Sequence, residues 1–204
     1  EYQCGRGVRV NPDTAAKLRG KAEEYGIALS LHAPYYISLS GIDPATREKS
    51  IGYILDSAKA AQAMGATRVG VHSGSCSKIS REEALELAKA TLKKAKQTMD
   101  ENGLSEIILC PETMGKFNQL GTLEEVLELC GVDQRFLPCI DFGHLNARTL
   151  GKMSTREDFA AALDLVENKL GSDRASRFHS HFSKIEYTPG GGEKRHLTFA
   201  DTQY

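Results

Sequence analysis

Side chains of the kind that bind divalent cations stand at the ends of successive predicted strands. Histidine, glutamate or aspartate closes each of the first four strands, and two histidines lie on the fifth. These residues are His32, His72, Glu112, Asp141, His179 and His181. Each interval is about one strand–helix unit, so parallel strands would bring these side chains to one carboxyl edge of a sheet. Zn²⁺ and Mn²⁺ bind imidazole nitrogens and carboxylate oxygens as ligands, so the pattern predicts a metal centre.

Two further histidines extend this set. His144 follows the fourth strand end by three residues, and His196 comes late in the chain. With two carboxylates and several imidazoles within reach, the sequence predicts more than one cation, with Glu112 bridging two of them as in two-metal hydrolytic sites. A single buried histidine is more often a hydrogen-bonded core residue, so the whole set, and no single member, favours metal binding. Cys110 and Cys139, one layer below the ligands, are interpreted as core residues.

Short apolar runs alternate with helical patterns along the chain. Strands are predicted over 27–32, 68–73, 106–112, 136–141 and 177–183, and helices over 11–25, 44–64, 80–101, 122–130 and 154–170. Residues 1–3 look like the tail of a further strand, and the glycine run 190–192 looks like a loop. Strands and helices in strict alternation with short loops indicate right-handed β/α units around a parallel sheet.

Composition limits the class of protein. The chain has 204 residues and a formal net charge of −1, which disfavours a nucleic-acid binder that relies on bulk positive charge. No apolar run approaches the roughly 20 residues that a membrane-spanning helix needs, so we expect no membrane partner. The five cysteines are scattered without a C-x-x-C motif, which favours reduced thiols and a cytoplasmic location.

Five short motifs together give the sequence a resemblance to a known family. They are residues 32–39 (HAPYYISL), 71–75 (VHSGS), 111–115 (PETMG), 139–144 (CIDFGH), and the later series His179, Lys184, Arg195 and His196. In this order and spacing, the chain resembles the endonuclease IV family (AP endonuclease family 2) of the xylose isomerase-like TIM barrels. The resemblance implies an α/β fold, a TIM (β/α)8 barrel. Five strands and a strand tail fall short of eight, so we expect one barrel domain over 1–204 that lacks parts of both ends.

The resemblance also implies roles for individual residues. It assigns His32, His72 and Glu112 to a first zinc site, Glu112, Asp141 and His179 to a second, and His144 and His196 to a third. It therefore implies two or three Zn²⁺ ions, or Mn²⁺ in their place, with Glu112 and Asp141 as catalytic residues. The residues it implies for contact with DNA are Arg6, Tyr35 and Tyr36. Lys184 and Arg195 are further candidates for phosphate contact, because they are basic residues that follow predicted ligands.

The resemblance implies a hydrolytic reaction that serves DNA repair. Members of the family hydrolyse the phosphodiester 5′ to an abasic site in damaged duplex DNA by means of a metal-bound hydroxide. We expect a monomeric, zinc-dependent endonuclease of this kind.

The chain departs from the family's pattern at several places. Lys194 stands where the family has an aspartate ligand of the third metal, and Glu193 is the nearest carboxylate. Ser73 stands where the family commonly has proline. The family also needs a final glutamate on its last strand, beyond Tyr204. His181 is an extra histidine that could compensate for the missing aspartate.

Two other functions stay open at this point. A divalent-metal sugar isomerase or epimerase of the same superfamily would also place Glu, Asp and His at strand ends, because the fold alone does not decide the chemistry. The near-neutral charge and Lys194 favour that alternative, whereas the number of histidines favours the endonuclease. A third interpretation is a metal-dependent binding protein without catalytic activity.

Overall fold

The computed structural model describes residues 1–202 and confirms the alternation of strands and helices. The strands are β1 (Tyr2–Gln3), β2 (Ser30–His32), β3 (Arg68–Val71), β4 (Ile108–Pro111), β5 (Cys139–Asp141), β6 (His179–His181), β7 (Lys184–Thr188) and β8 (Gly192–Leu197). The helices are α1 (Pro12–Tyr25), α2 (Pro44–Met64), α3 (Arg81–Glu101), α4 (Leu123–Cys130), α5 (Phe142–Arg148), α6 (Arg156–Leu170) and α7 (Ser172–Ala175).

Six strands form a parallel barrel wall. Strands β1 to β4 pair in chain order, and β5 pairs with β6. A parallel bridge between Glu112 and Cys139 joins β4 to β5, so the wall is continuous from β1 to β6. The strand tail predicted at residues 1–3 is confirmed as β1, and the predicted α/β barrel architecture is confirmed.

The five predicted helices are confirmed within two residues at each end, because their sequences carry strong capping signals. Thr122 and Glu125 form the reciprocal capping box of α4, and the Ser80 hydroxyl accepts the Glu83 N–H at the start of α3. Gly26 ends α1 in the left-handed region, at a φ of 64°.

The sequence did not predict α5, α7 or the hairpin of β7 and β8. Helix α5 begins directly after β5, with Asp141 as its N-cap, so no loop separates the two elements. The glycine run read as a loop is the turn of the antiparallel hairpin. This hairpin follows the barrel wall and does not extend it.

Side chains alternate between the two faces of the barrel wall. Leu31, Val69 and Leu109 occupy the central positions of their strands and pack outward in the main hydrophobic core, with helix residues such as Ile54 and Leu92. Their strand neighbours point inward, where the small residues Ser30, Gly70, Cys110 and Cys139 leave room for larger side chains above them. Because the outward layer holds the wall in register, the inward layer is positioned with it.

The loop at residues 113–121, between β4 and α4, is fixed by two arginines. The Arg81 guanidinium donates to the carbonyls of Phe117 (3.0 Å) and Gln119 (3.1 Å) and forms a bidentate ion pair with Glu125, at 2.7 Å on each side. Arg148 Nε donates to the carbonyl of Met114 at 2.7 Å. The loop thus has a defined backbone although it contains no regular structure.

We predict that Leu109→Ala lowers the free energy of unfolding by about 2–5 kcal/mol, because the fully buried side chain would leave a cavity. Leu163→Ala, at a position that is 38% exposed, should cost much less. Denaturant unfolding of both variants checks this. Equal losses would show that the β4 side chain does not support the core.

Glu125 should make stability depend on pH. Burial by itself would raise the pKa of Glu125, but the hydrogen bonds from Arg81 and the N–H groups of Gly121 and Thr122 lower it. Its stabilising contribution is therefore complete above the unfolded pKa of about 4.3 and is lost as the pH falls through the lowered folded value. The difference in unfolding midpoint between wild type and Glu125→Gln should shrink from pH 7 to pH 3. Glu106→Gln is the exposed control, and an unchanged difference would contradict the prediction.

Candidate metal centre

The carboxyl ends of the parallel strands surround an open cavity of about 820 Å³. His32 ends β2, Asp141 ends β5 and His181 ends β6, while His72 and Glu112 directly follow β3 and β4. All five side chains line the cavity. The parallel strands therefore bring His32, His72, Glu112, Asp141 and His181 together at one end of the wall.

Glu112 lies at the centre of the site. Its side chain is 2% exposed, and its Oε2 lies 2.8 Å from His32 Nε2 and 3.2 Å from His72 Nε2. Its other oxygen, Oε1, lies 2.8 Å from His181 Nδ1. Burial alone would raise the pKa of Glu112, but the hydrogen bonds from the three imidazoles hold it well below its usual range. One carboxylate thus faces two groups of ligands, which is the geometry of a bridging carboxylate.

The first group is His32, His72 and Glu112, whose ligand atoms all lie within 4.8 Å of one another. His32 Nδ1 donates to the carbonyl of Ala33 at 2.8 Å, which turns Nε2 toward Glu112. Burial would lower the pKa of His32, but the hydrogen bond to Glu112 raises it. A cation between these atoms would replace the proton that Nε2 shares with Glu112.

The second group is Glu112, Asp141 and His181, again within 4.8 Å. His181 Nδ1 lies 3.8 Å from Asp141 Oδ2, and His181 Nε2 lies 3.0 Å from an oxygen of Glu1. Burial would lower the pKa of His181, but the hydrogen bonds with Glu1 and Glu112 raise it to about 10. Glu1 therefore orients the ring so that Nδ1 faces the two ligand carboxylates.

His179, implied for this second group by the resemblance, lies elsewhere. In the pairing of β5 with β6, His181 is opposite Asp141, and His179 is opposite Cys139, one layer lower. His179 Nε2 lies 2.8 Å from Glu1 Oε2, and its ring groups with Cys139 and His181. The spacing held a signal for this outcome, because Asp141 and His181 are 40 residues apart, as are His32 and His72.

The cysteines below the ligands are interior residues of the barrel. Cys110 and Cys139 are fully buried and pack with Leu137. Burial raises the pKa of the Cys110 thiol to about 12 and that of Cys139 well above its usual value. Both thiols are therefore neutral, which suits core packing better than metal binding.

The third group contains His144 and His196, together with Asp141. The two Nε2 atoms lie 3.0 Å apart. Glu193 Oε2 lies 3.5 Å from His144 Nε2. Lys194 is directed away from the cavity and pairs with Glu186.

The residues predicted to contact DNA are spread over the surface. Tyr35 is 55% exposed, lines the cavity and stacks on His72 with ring centroids 5.8 Å apart. Tyr36 is also exposed but packs edge-on against Tyr53, and Arg6 lies on the surface. Lys184 Nζ donates to the carbonyl of Asp201, and Arg195 Nε donates to Glu186 at 2.6 Å. Only Tyr35 of the five predicted residues lines the cavity described here.

Sequence reasoning missed Glu1 as part of the site. It accepts hydrogen bonds from His179 and His181 and from the hydroxyl of Ser30, at 3.1 Å. Strand β1 pairs with β2 in parallel, which places Glu1 beside the inward-facing Ser30. Its only sequence signal is its place directly before a two-residue strand.

A parallel barrel wall with imidazoles and carboxylates at its carboxyl ends defines a TIM-barrel protein with a metal-type site. The chain belongs to the Xylose isomerase-like TIM barrel family, which it matches over residues 2–201. No helix within residues 1–202 is long and apolar enough to cross a membrane.

The predicted resemblance to endonuclease IV is confirmed by sequence relatives. The chain is 30% identical over 164 residues to a probable endonuclease 4 of Symbiobacterium thermophilum, covering 76% of this chain and 57% of that protein. It is 35% identical over 204 residues to an uncharacterized protein of Methanocaldococcus jannaschii, covering all of this chain and 72% of that protein. The chain spans less than two thirds of the length of the probable endonuclease 4 of Symbiobacterium thermophilum.

Solved structures support the same fold. Endonuclease IV from Thermus thermophilus superposes with a TM-score of 0.58 at 25% identity, covering 82% of this chain and 58% of that chain. A D-tagatose 3-epimerase-like protein superposes with a TM-score of 0.65 at 20% identity, covering 82% and 62%. At this identity the second likeness concerns the fold alone.

We predict that Glu112→Gln removes metal from two sites together, because both oxygens of this carboxylate face ligand groups. Equilibrium dialysis against Zn²⁺ followed by elemental analysis measures the number bound. Glu128→Gln, on the helix surface, is the matched control. Loss of a single equivalent in the first variant would argue against a bridging role.

Proposed function

We propose that this chain forms the metal-binding part of a zinc-dependent, endonuclease IV-like phosphodiesterase. Its reaction is hydrolysis of the DNA phosphodiester 5′ to an abasic site. The observation that carries the proposal is the adjacency of three groups of ligands, two of which share Glu112. A row of adjacent cation sites suits a phosphodiester, whose attacking and leaving oxygens both need stabilisation.

The donor atoms fit divalent cations of the zinc and manganese class. Imidazole nitrogens and carboxylate oxygens make up the three groups, while the neutral thiol of Cys139 lies in the layer below. His32, His72 and Glu112 would hold one cation, and Glu112, Asp141 and His181 a second. Bound there, such cations would supply Lewis acidity toward the phosphodiester and lower the pKa of a water.

The protein's own residues prepare the site for these cations. The carbonyls of Ala33 and Thr113 accept from the Nδ1 atoms of His32 and His144, each at 2.8 Å, and so fix both rings with Nε2 facing the cavity. The exposed Tyr35 ring, stacked on His72, offers a nucleotide an aromatic face and a hydroxyl at the mouth. An abasic nucleotide leaves the base stack at low cost because it has no base to unpair.

A sugar isomerase or epimerase is the second candidate. The two basic residues predicted to contact phosphate make other contacts, Arg195 with Glu186 and Lys184 with the carbonyl of Asp201. The formal net charge of −1 points the same way, because it lacks the excess of positive charge that attracts phosphates. The three neighbouring ligand groups favour the phosphodiesterase over this candidate.

A cytoplasmic location and a monomeric state of the protein remain predictions.

The deciding experiment uses the full chain loaded with Zn²⁺ or Mn²⁺ and a duplex that carries one tetrahydrofuran abasic site. We expect a single nick 5′ to the lesion that leaves a 3′-hydroxyl. Asp141→Asn should lower the rate by more than about 100-fold, because even a residue that only supports a metal ligand typically contributes 10–100-fold. Lys152→Gln is a surface control.

An undamaged duplex of the same sequence and a set of ketose sugars complete the test. Bound metal without nicking, together with interconversion of ketoses, would replace the endonuclease with the isomerase. Bound metal with neither activity would favour a binding protein.

A further inference from the structure

The two imidazoles of the third group face each other through their Nε2 atoms, which are joined by a hydrogen bond. His144 Nδ1 lies 2.8 Å from the carbonyl of Thr113, which can only accept, so in the neutral ring Nδ1 carries the proton and Nε2 offers its lone pair to His196 or to a cation. His196 Nδ1 is hydrogen-bonded to the hydroxyl of Ser183 at 2.8 Å. Two nitrogens on one Zn²⁺ at about 2.0–2.1 Å stand roughly 3.0–3.4 Å apart. The observed Nε2–Nε2 distance of 3.0 Å fits two ligands of one ion.

Asp141 is badly placed to complete this pair. Its Oδ2 lies 3.6 Å from His144 Nδ1, the nitrogen that donates to Thr113. Its Oδ1 accepts the backbone N–H of His144 at 2.8 Å, as the N-cap of α5. The Asp141 carboxylate therefore lies on the Nδ1 side of the His144 ring, and not on the Nε2 side that faces His196.

The Glu193 carboxylate lies on the Nε2 side of the His144 ring. Its Oε2 lies 3.5 Å from His144 Nε2, and its side chain is 14% exposed. It lines the same cavity as His144 and His196. A small movement of this carboxylate would give the pair of imidazoles an anionic third ligand.

A β-bulge explains why Glu193 faces the site. In a regular strand, Lys194 and His196 would share a face, and Glu193 would point to the other side. In the hairpin, Arg195 pairs with Glu186 and Glu193 pairs with Tyr187, so Lys194 is an extra residue without a cross-strand partner. The bulge reverses the alternation between 193 and 196. Lys194 therefore turns outward.

The loop after β4 holds the bulged strand against the site. The Glu193 N–H donates to the carbonyl of Gly115 at 3.1 Å. A Cβ at position 115 would lie 2.6 Å from Glu193 Cβ, so this close approach needs glycine. The same loop is held by Arg81 and Arg148, which makes it a firm support.

We propose that Glu193 is the carboxylate ligand of a third divalent cation, bound with His144 and His196, and that the bulge at Lys194 puts it there. The inference rests on the proposed function for the class of cation. It assigns no role in metal binding to position 194, where the family resemblance expects an aspartate.

Metal stoichiometry tests the assignment without any need for activity. The full chain is dialysed against Zn²⁺ or Co²⁺, and the bound metal is counted by elemental analysis and by the visible absorption of Co²⁺. We expect wild type to bind three equivalents, and Glu193→Gln to bind two while keeping the thermal midpoint of the metal-free protein. Lys194→Ala and Lys194→Asp are the matched controls, and both should keep three equivalents.

A second variant covers the case in which Glu193→Gln fails to fold. Gly115→Ala should displace Glu193, and to a lesser degree the His144 ring, because its Cβ would approach them to 2.6 and 3.2 Å. It should cost the same single equivalent, although all ligands are retained. Two equivalents in wild type, three in Glu193→Gln, or a loss in Lys194→Ala would each overturn the assignment. Three equivalents without nicking would sink the proposed function and leave the assignment standing.

Discussion

The site depends on one buried carboxylate. An ionised Glu112 in the barrel interior would be unstable unless cationic or hydrogen-bonding groups surround it. His32, His72 and His181 supply them from three different strand ends, each within 3.2 Å of a Glu112 oxygen. The arrangement tolerates little shift of the strands, because a displacement of one residue would turn a ligand outward and leave the carboxylate uncompensated. A divalent cation meets the same electrostatic need as the hydrogen bonds from these imidazoles.

Both the barrel wall and the segments around it position the candidate metal ligands. Outward-facing aliphatic residues pack the wall against the helices, which fixes the inward-facing ligands at the carboxyl end of the wall. Arg81 and Arg148 then hold the loop after β4, and this loop supports the β7–β8 hairpin through Gly115. The third group of ligands therefore depends on irregular segments, whereas the first two depend on the parallel strands.

The same fold serves endonucleases and sugar epimerases, so the distinction lies in the site and its rim. Three neighbouring ligand groups favour chemistry on a phosphodiester. The residues around the mouth of the cavity show less adaptation to DNA. Arg195 and Lys184 bind other groups of the chain, and of the residues predicted to contact DNA only Tyr35 lines the cavity. Under the proposed function, approach of a duplex would depend more on cations held by the site than on the charge of the surface.

The sequence by itself determined the alternation of strands and helices and the edge where ligands gather. Capping signals at Ser80 and Thr122 and the 40-residue intervals between His32, His72 and Glu112 are local patterns, and they predicted these features directly. The 40-residue interval from Asp141 to His181 was a weak signal, and the pairing of β6 with β5 decided between His179 and His181.

The inward turn of Glu193 was likewise decided by tertiary structure. Alternation within the segment 192–197 favours Lys194 as the neighbour of His196, and only the pairing with β7 reveals the extra residue. Side-chain direction in a short strand follows from its partners across the sheet, and those partners are distant in the sequence. Local pattern therefore fixes which residue types reach the site, and pairing fixes which of two neighbours enters it.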